Sequence, residues 1–154
     1  MPSYLAQKRN LNASFQDAMD WIKIDRAGLS ILPAAAHIDP LAKTQVALIT
    51  HGHADHARPG HHQVIATPET LAIMAVRYGD DFAEIKIPLR YGEKLQVGDV
   101  QVGMAPSGHI LGSAQIIVEY QNTRLIAAGD YKRKSDPTCA AFEVVPCDIF
   151  ITEA

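Results

Sequence analysis

The chain has 154 residues, 47% of them hydrophobic, 20% charged, with a formal net charge of -3. That is the size and composition of one globular domain able to bury a core. It contains no apolar run of membrane-spanning length and no apolar centre of a signal peptide near Met1, so a cytoplasmic protein without a membrane partner is expected. The small negative charge does not mark a non-specific nucleic-acid binder, although local patches matter more than totals.

Taken in chain order, residues 1–20 show no period and read as an irregular arm. Trp21–Ile24 and Leu29–Leu32 read as two strands of a hairpin about Asp25-Arg26-Ala27-Gly28. Asp39 before Pro40 ends an extended segment. Gln45–Thr50 is an apolar strand, and it delivers Thr50-His51-Gly52-His53-Ala54-Asp55-His56. Here four side chains able to bind metal fall within six residues, in the pattern H-x-H-x-D-H. Neutral imidazole and carboxylate suit zinc and similar divalent ions, whereas turn chemistry calls for Gly, Asn, Asp, Ser and Pro. Pro59-Gly60 marks a turn, with His61 and His62 expected as exposed turn residues beside it.

Val64–Ala66 reads as a short strand. Thr67-Pro68-Glu69 then opens a helix: Thr67 caps it, Pro68 fits the first position, and Glu69 favours the positive end. Leu71, Met74, Ala75 and Tyr78 form its core stripe, and Gly79 ends it. Ile85, Ile87 and Leu89 alternate as a strand, as do Leu95 and Val97, which turn at Gly98-Asp99 into Val100 and Val102. Pro106-Ser107-Gly108-His109 then presents a histidine. Gln115–Tyr120 and Arg124–Ala128 are strands joined by a turn, the second stopping at Gly129-Asp130. Lys132-Arg133-Lys134 follows, either as phosphate contacts or as a solvated loop. Cys139 and Cys147 lack zinc-ligand spacing and are expected as free thiols. Asp148–Thr152 is a last strand, reaching Glu153.

The runs ending near His51, Asp130 and Glu153 are apolar throughout, which predicts strands buried on both faces in a sheet covered by helices. Ligands gather at the carboxyl ends of such strands. The histidine cluster, His109, Asp130 and Glu153 are therefore expected in one cleft.

H-x-H-x-D-H, the Gly-His loop Ser107–Ser113 and Gly129-Asp130 together resemble the signature of the metallo-β-lactamase fold. Pro106–Ser113, Gly129–Arg133 and Ile151–Ala154 narrow the resemblance to the β-CASP branch of nucleic-acid nucleases. Within that branch they are similar to the bacterial ligase-associated DNA damage response exonucleases, related to the mRNA 3′-end processing exonucleases. The resemblance implies an α/β, metallo-β-lactamase-like αββα sandwich, with residues 21–154 as its N-terminal part, ending before the β-CASP insert. It implies that His51, His53 and His109 hold one zinc ion, that Asp55 and His56 help hold a second, and that Asp130 bridges both. Asp39 would support the histidine loop, and Glu153 would open the β-CASP portion. Asp55, Asp130 and Glu153 are the implied catalytic carboxylates. The implied activity is metal-dependent hydrolysis of phosphodiester bonds in DNA or RNA, as a repair or RNA-processing exonuclease. Zn2+ is the implied metal, with Mn2+ also suited, and DNA ligase or helicase repair proteins are the implied partners.

No histidine follows His109, so the second metal site is expected to lack a ligand, and the half-sandwich to expose an apolar face prone to self-association. Two other readings stay open from sequence. One is a different hydrolase of this fold, of thioesterase, lactonase or β-lactamase type. The other is an inactive fragment acting as an interaction module.

Overall fold

The computed structural model describes residues 20–152. The arm expected over residues 1–20 lies outside them but for Asp20, and Glu153 lies outside them as well.

Four short strands lead to the histidine loop: β1 (Ile22–Asp25), β2 (Gly28–Ile31), β3 (Ala36–Ile38) and β4 (Val46–Leu48). A 3-10 turn over Leu32–Ala34 separates β2 from β3. After the loop come β5 (His61–Ala66), helix α1 (Pro68–Tyr78) and β6 (Ala83–Pro88). These six strands form one sheet in sequence order, antiparallel through β1–β2–β3 and parallel from β3 to β6. The chain then builds a second sheet from β7 (Lys94–Val97), β8 (Val100–Pro106), β9 (Ala114–Tyr120) and β10 (Thr123–Ala127) as an antiparallel meander. Strand β11 (Ile149–Ile151) adds to it parallel to β10.

The apolar strands explain the layering. Along β4 and the residue after it, Leu48 points between the two sheets, while Ala47 and Ile49 point the other way; all three have no exposed surface. In β5, Ile65 and the pair Val64 and Ala66 divide in the same manner. Between the sheets, Ile31, Ile38, Leu48 and Ile65 meet Val102, Met104, Ile116 and Val118. On the outer face of the first sheet, Met74 of α1 packs with Ile49, Val64 and Phe82. Each fully buried aliphatic side chain of this kind contributes about 1.5–3 kcal/mol. The continuous apolar runs are thus covered on one face by a helix and on the other by a second sheet, where sequence reasoning expected helices on both. The result is a sandwich of two sheets, the layering that the motifs implied; among the described residues, its helical cover lies on the first sheet.

Helix α1 has the termini its sequence dictates. Thr67 Oγ1 accepts from the Thr70 N–H at 3.2 Å, Pro68 and Glu69 occupy the first turn, and Gly79 ends the helix with φ of 90°. His61 departs from expectation. It is 2% exposed, within β5, and its Nδ1 accepts from the Thr44 N–H at 3.2 Å. The turn ends at Gly60, whose N–H donates to Phe82 O at 2.7 Å, and His61 enters β5 in register with Ala83. His62 is half-buried, with Nδ1 2.9 Å from Glu84 Oε2. Cys139 and Cys147 are free thiols, as expected.

At the far end of the sandwich, the two-residue β7–β8 turn docks on the 3-10 turn, with the Asp99 N–H donating to Pro33 O at 2.9 Å. Gly98 there has φ of 55°, and a Cβ on it would collide with Pro33 O. Gly92 has φ of 79° but open space around it. Gly98→Ala and Gly92→Ala each carry about 1–3 kcal/mol of backbone strain. Gly98→Ala is expected to lower the melting temperature further than Gly92→Ala, and the difference between the two melts measures the docking contact.

Candidate metal centre

Three loops meet at one end of the sandwich. The loop after β4 carries His51, His53, Asp55 and His56; the loop after β8 carries His109; the segment after β10 carries Asp130. Thr50 is the seam between the sheets. Its carbonyl accepts from the Ala114 N–H at 2.7 Å, and Gly129 packs so closely that a Cβ would lie 2.6 Å from Thr50 Oγ1. The Gly-His loop is tied down as well. Ser113 Oγ accepts from the N–H groups of His109 and Ile110, each at 3.1 Å, and Ser107 Oγ donates to Asp130 O at 3.0 Å. From the helix side, Thr67 Oγ1 donates to Gly112 O at 2.6 Å, and Arg77 Nη1 donates to Gly52 O at 2.6 Å.

The donors converge. His51 Nε2 lies 3.1 Å from His53 Nδ1, which lies 3.2 Å from His109 Nε2. Asp130 Oδ2 is 3.7 Å from His51 Nε2 and 3.4 Å from His109 Nε2. One atom from each of the four falls within 4.8 Å of the others. Nitrogen ligands at about 2.0–2.1 Å from a tetrahedral ion stand roughly 3.3–3.4 Å apart. Three imidazole nitrogens and a carboxylate oxygen at these separations therefore fit a small cation in their midst. Asp130 turns its other oxygen toward a second group: Oδ1 lies 3.9 Å from His56 Nε2, which lies 3.7 Å from Asp55 Oδ2. The structure thus brings His51, His53, Asp55, His56, His109 and Asp130 together in one place.

Burial prepares these groups for a cation. His51 has no exposed surface, and desolvation, reinforced by the imidazoles of His56, His109 and His53, pushes its pKa down to about 3. Burial also lowers His109, against an opposing pull from Asp130. The Asp55 carboxyl is held below the ordinary range, chiefly by its own backbone N–H. Near neutral pH the buried imidazole is therefore neutral, the form that binds metal.

Asp39 supports the loop from below, as the motifs implied. Its backbone sits at φ of 44°, a left-handed conformation uncommon for a non-glycine residue. Oδ1 accepts from the Thr50 N–H at 2.8 Å, Oδ2 accepts from the Thr50 hydroxyl at 2.5 Å, and His56 Nδ1 lies 2.9 Å from Oδ2. Sequence reasoning missed Thr50, Ser113 and Arg77, which hold the loops without ligating; the position of Thr50 directly before the motif was the available signal. Lys132 pairs with Asp136 at 2.9 Å, and Arg133 and Lys134 are exposed.

Two outcomes follow from this geometry. Asp39→Ala is expected to weaken metal binding by about 10–100-fold, measured by competition titration, because outer partners of a ligand set this basicity and orientation. The second concerns pH. In the unfolded chain His51 titrates near 6.5, and in the fold near 3. Between those values the unfolded state binds the extra proton, so metal-free protein should lose stability as pH falls below about 6.5, with the loss continuing toward pH 3. Denaturant midpoints across that range should fall less steeply in His51→Ala.

No protein-family model matches the chain. Among curated proteins, it is 26% identical over 162 residues to endoribonuclease ysh-1 of Neurospora crassa, covering 82% of this chain and 19% of that protein. It is 25% identical over 147 residues to cleavage and polyadenylation specificity factor subunit 3-I of Arabidopsis thaliana, covering 77% of this chain and 21% of that one. It is 33% identical over 97 residues to a protein named "Probable DNA ligase" from Opitutus terrae, covering 60% of this chain and 9% of that one. The chain thus spans about a fifth or less of the length of these relatives. Among solved structures, a metallo-β-lactamase of Cronobacter sakazakii is 22% identical with a TM-score of 0.47, covering 61% of this chain and 41% of that one. By its motifs and by these sequence similarities, the chain resembles the β-CASP nuclease branch of the metallo-β-lactamase fold.

Proposed function

We propose that this chain is part of a metal-dependent nuclease that hydrolyses phosphodiester bonds of DNA or RNA. The observation that carries the reading is the four-donor cluster of His51, His53, His109 and Asp130, with His56 and Asp55 on the other oxygen of Asp130. The similarity to a named endoribonuclease supports nucleic acid as the substrate class. The finer reading is a repair or RNA-processing exonuclease in the cytoplasm, with residues 21–154 as the N-terminal part of its metallo-β-lactamase domain. Among the described residues no helix is long and apolar enough to cross a membrane.

Three imidazoles and one carboxylate are a donor set suited to zinc, and Mn2+ also accepts such ligands. His51, His53 and His109 would hold the first ion, Asp55 and His56 would serve a second, and Asp130 would face both. A metal bound there supplies Lewis-acid activation of phosphate and a hydroxide available near neutral pH. The chain's own residues do the rest. Asp130, anchored through its carbonyl to Ser107, presents its carboxylate where a nucleophile would be oriented. Burial keeps His51 neutral and its nitrogen available. The exposed Arg133 and Lys134, beside the salt-bridged Lys132, offer positive charge close in sequence to Asp130 for the phosphate backbone.

Asp130→Ala is expected to lower cleavage of labelled single-stranded DNA or RNA by at least about 100-fold, more than loss of an outer partner such as Asp39. Undiminished cleavage by that variant would sink the reading, as would hydrolysis of a thioester with no cleavage of either nucleic acid. Dialysis against a chelator should abolish activity and lower the melting temperature. Zinc at roughly 100 times its dissociation constant should return about 2.7 kcal/mol of stability.

A further inference from the structure

Asp39 Oδ2 is shared. Thr50 Oγ1 lies 2.5 Å from it and His56 Nδ1 lies 2.9 Å from it. An ionised carboxylate only accepts hydrogen bonds, so both neighbours must donate. Thr50 has a single hydroxyl proton, and that proton is committed to Asp39. The Thr50 oxygen keeps its lone pairs, and 3.0 Å away stands His51 Nδ1. This contact is a hydrogen bond only if Nδ1 carries the hydrogen. The opposite tautomer would set two acceptors against each other where Thr50 is 1% and His51 0% exposed, leaving a buried acceptor unsatisfied. It would also push an N–H into the donor cluster, since Nε2 is the atom that faces His53 and Asp130.

We propose that Thr50 is a positioning residue: its hydroxyl relays the Asp39 carboxylate to His51, fixing the Nδ1–H tautomer and leaving Nε2 bare toward the metal. One carboxylate then orients two imidazoles, His56 directly and His51 through Thr50. Gly129 follows from the same arrangement, because a side chain there would occupy the space of the Thr50 hydroxyl. The inference rests on the metal reading for its purpose but not for its primary readout, the tautomer, which is measured on metal-free protein.

The test is long-range 1H–15N correlation at the His51 ring in metal-free chain near neutral pH, assigned by comparison with His51→Gln. Expected is a protonated Nδ1 and a bare Nε2, retained in Thr50→Ser and lost or mixed in Thr50→Val. Zinc affinity should fall about 10–100-fold in Thr50→Val and stay within about threefold of wild type in Thr50→Ser. A protonated Nε2 in the wild type overturns the proposal without any variant. So does a Thr50→Val chain with unchanged ring pattern and unchanged zinc affinity. Should Thr50→Val not fold, the wild-type and Thr50→Ser spectra decide. A chain with the Nδ1–H form that binds no zinc overturns the metal reading and leaves the tautomer assignment standing.

Discussion

The site depends on the close approach of two sheets at Thr50. Sheet packing alone sets strands about 10 Å apart and would leave the loops of each sheet to themselves. Here the Thr50 carbonyl takes a backbone N–H from the start of β9, and the glycine after β10 closes over its side chain. That seam brings the loop of the first sheet within reach of His109 and Asp130, which belong to the second. Without it, three histidines on one loop would face water and a lone carboxylate would sit on another surface. The left-handed Asp39 is part of the same seam, because its conformation turns its carboxylate back under the loop.

A cluster of imidazoles is electrostatically awkward. The His51 ring lies with its centroid 4.1–5.0 Å from those of His53, His56 and His109, and His53 lies 4.9 Å from His109. Protonating several of them would place like charges side by side in a desolvated setting. The fold avoids this by burying His51 fully and by setting Asp130 where it faces three of the rings. What remains is a ring of lone pairs bordered by carboxylates, Asp130 foremost. A cation relieves that concentration of acceptors, so the local cost of the fold and the affinity of the site have one origin.

Much of this was legible in the sequence, unevenly. The helix was legible to its ends, since Thr67, Pro68, Glu69 and Gly79 are each local signals with a physical reason. The tight turn at Gly98-Asp99 was legible for the same cause. The motif His51–His56 announced a metal site because no turn requires those residues. What the two faces of β4 packed against was not legible: Ala47, Leu48 and Ile49 say only that both are covered, and a helix and a sheet are equally apolar partners. His61 was misread because its burial depends on a backbone bond from Gly60 to Phe82, a contact across 22 residues that no local pattern encodes. Thr50, Ser113 and Arg77 escaped for a similar reason. Their roles are hydrogen bonds to loops distant in sequence, and a threonine or serine looks the same whether it holds such a loop or faces solvent.

The division of the donor cluster between the sheets also bears on how the chain folds. His53 and His109 touch across 56 residues of chain. Asp130 comes later still, beyond the whole meander of the second sheet. A half-formed protein with only its first sheet in place holds the loop histidines but not the groups that complete the set. Pairings of such separation form slowly, because loop closure must precede their reward. Tight capture of a metal by this cluster would therefore belong to the last stage of folding, after the sheets have docked. The ion would act less as a nucleus than as a latch: it would do little to speed folding and would mainly slow unfolding.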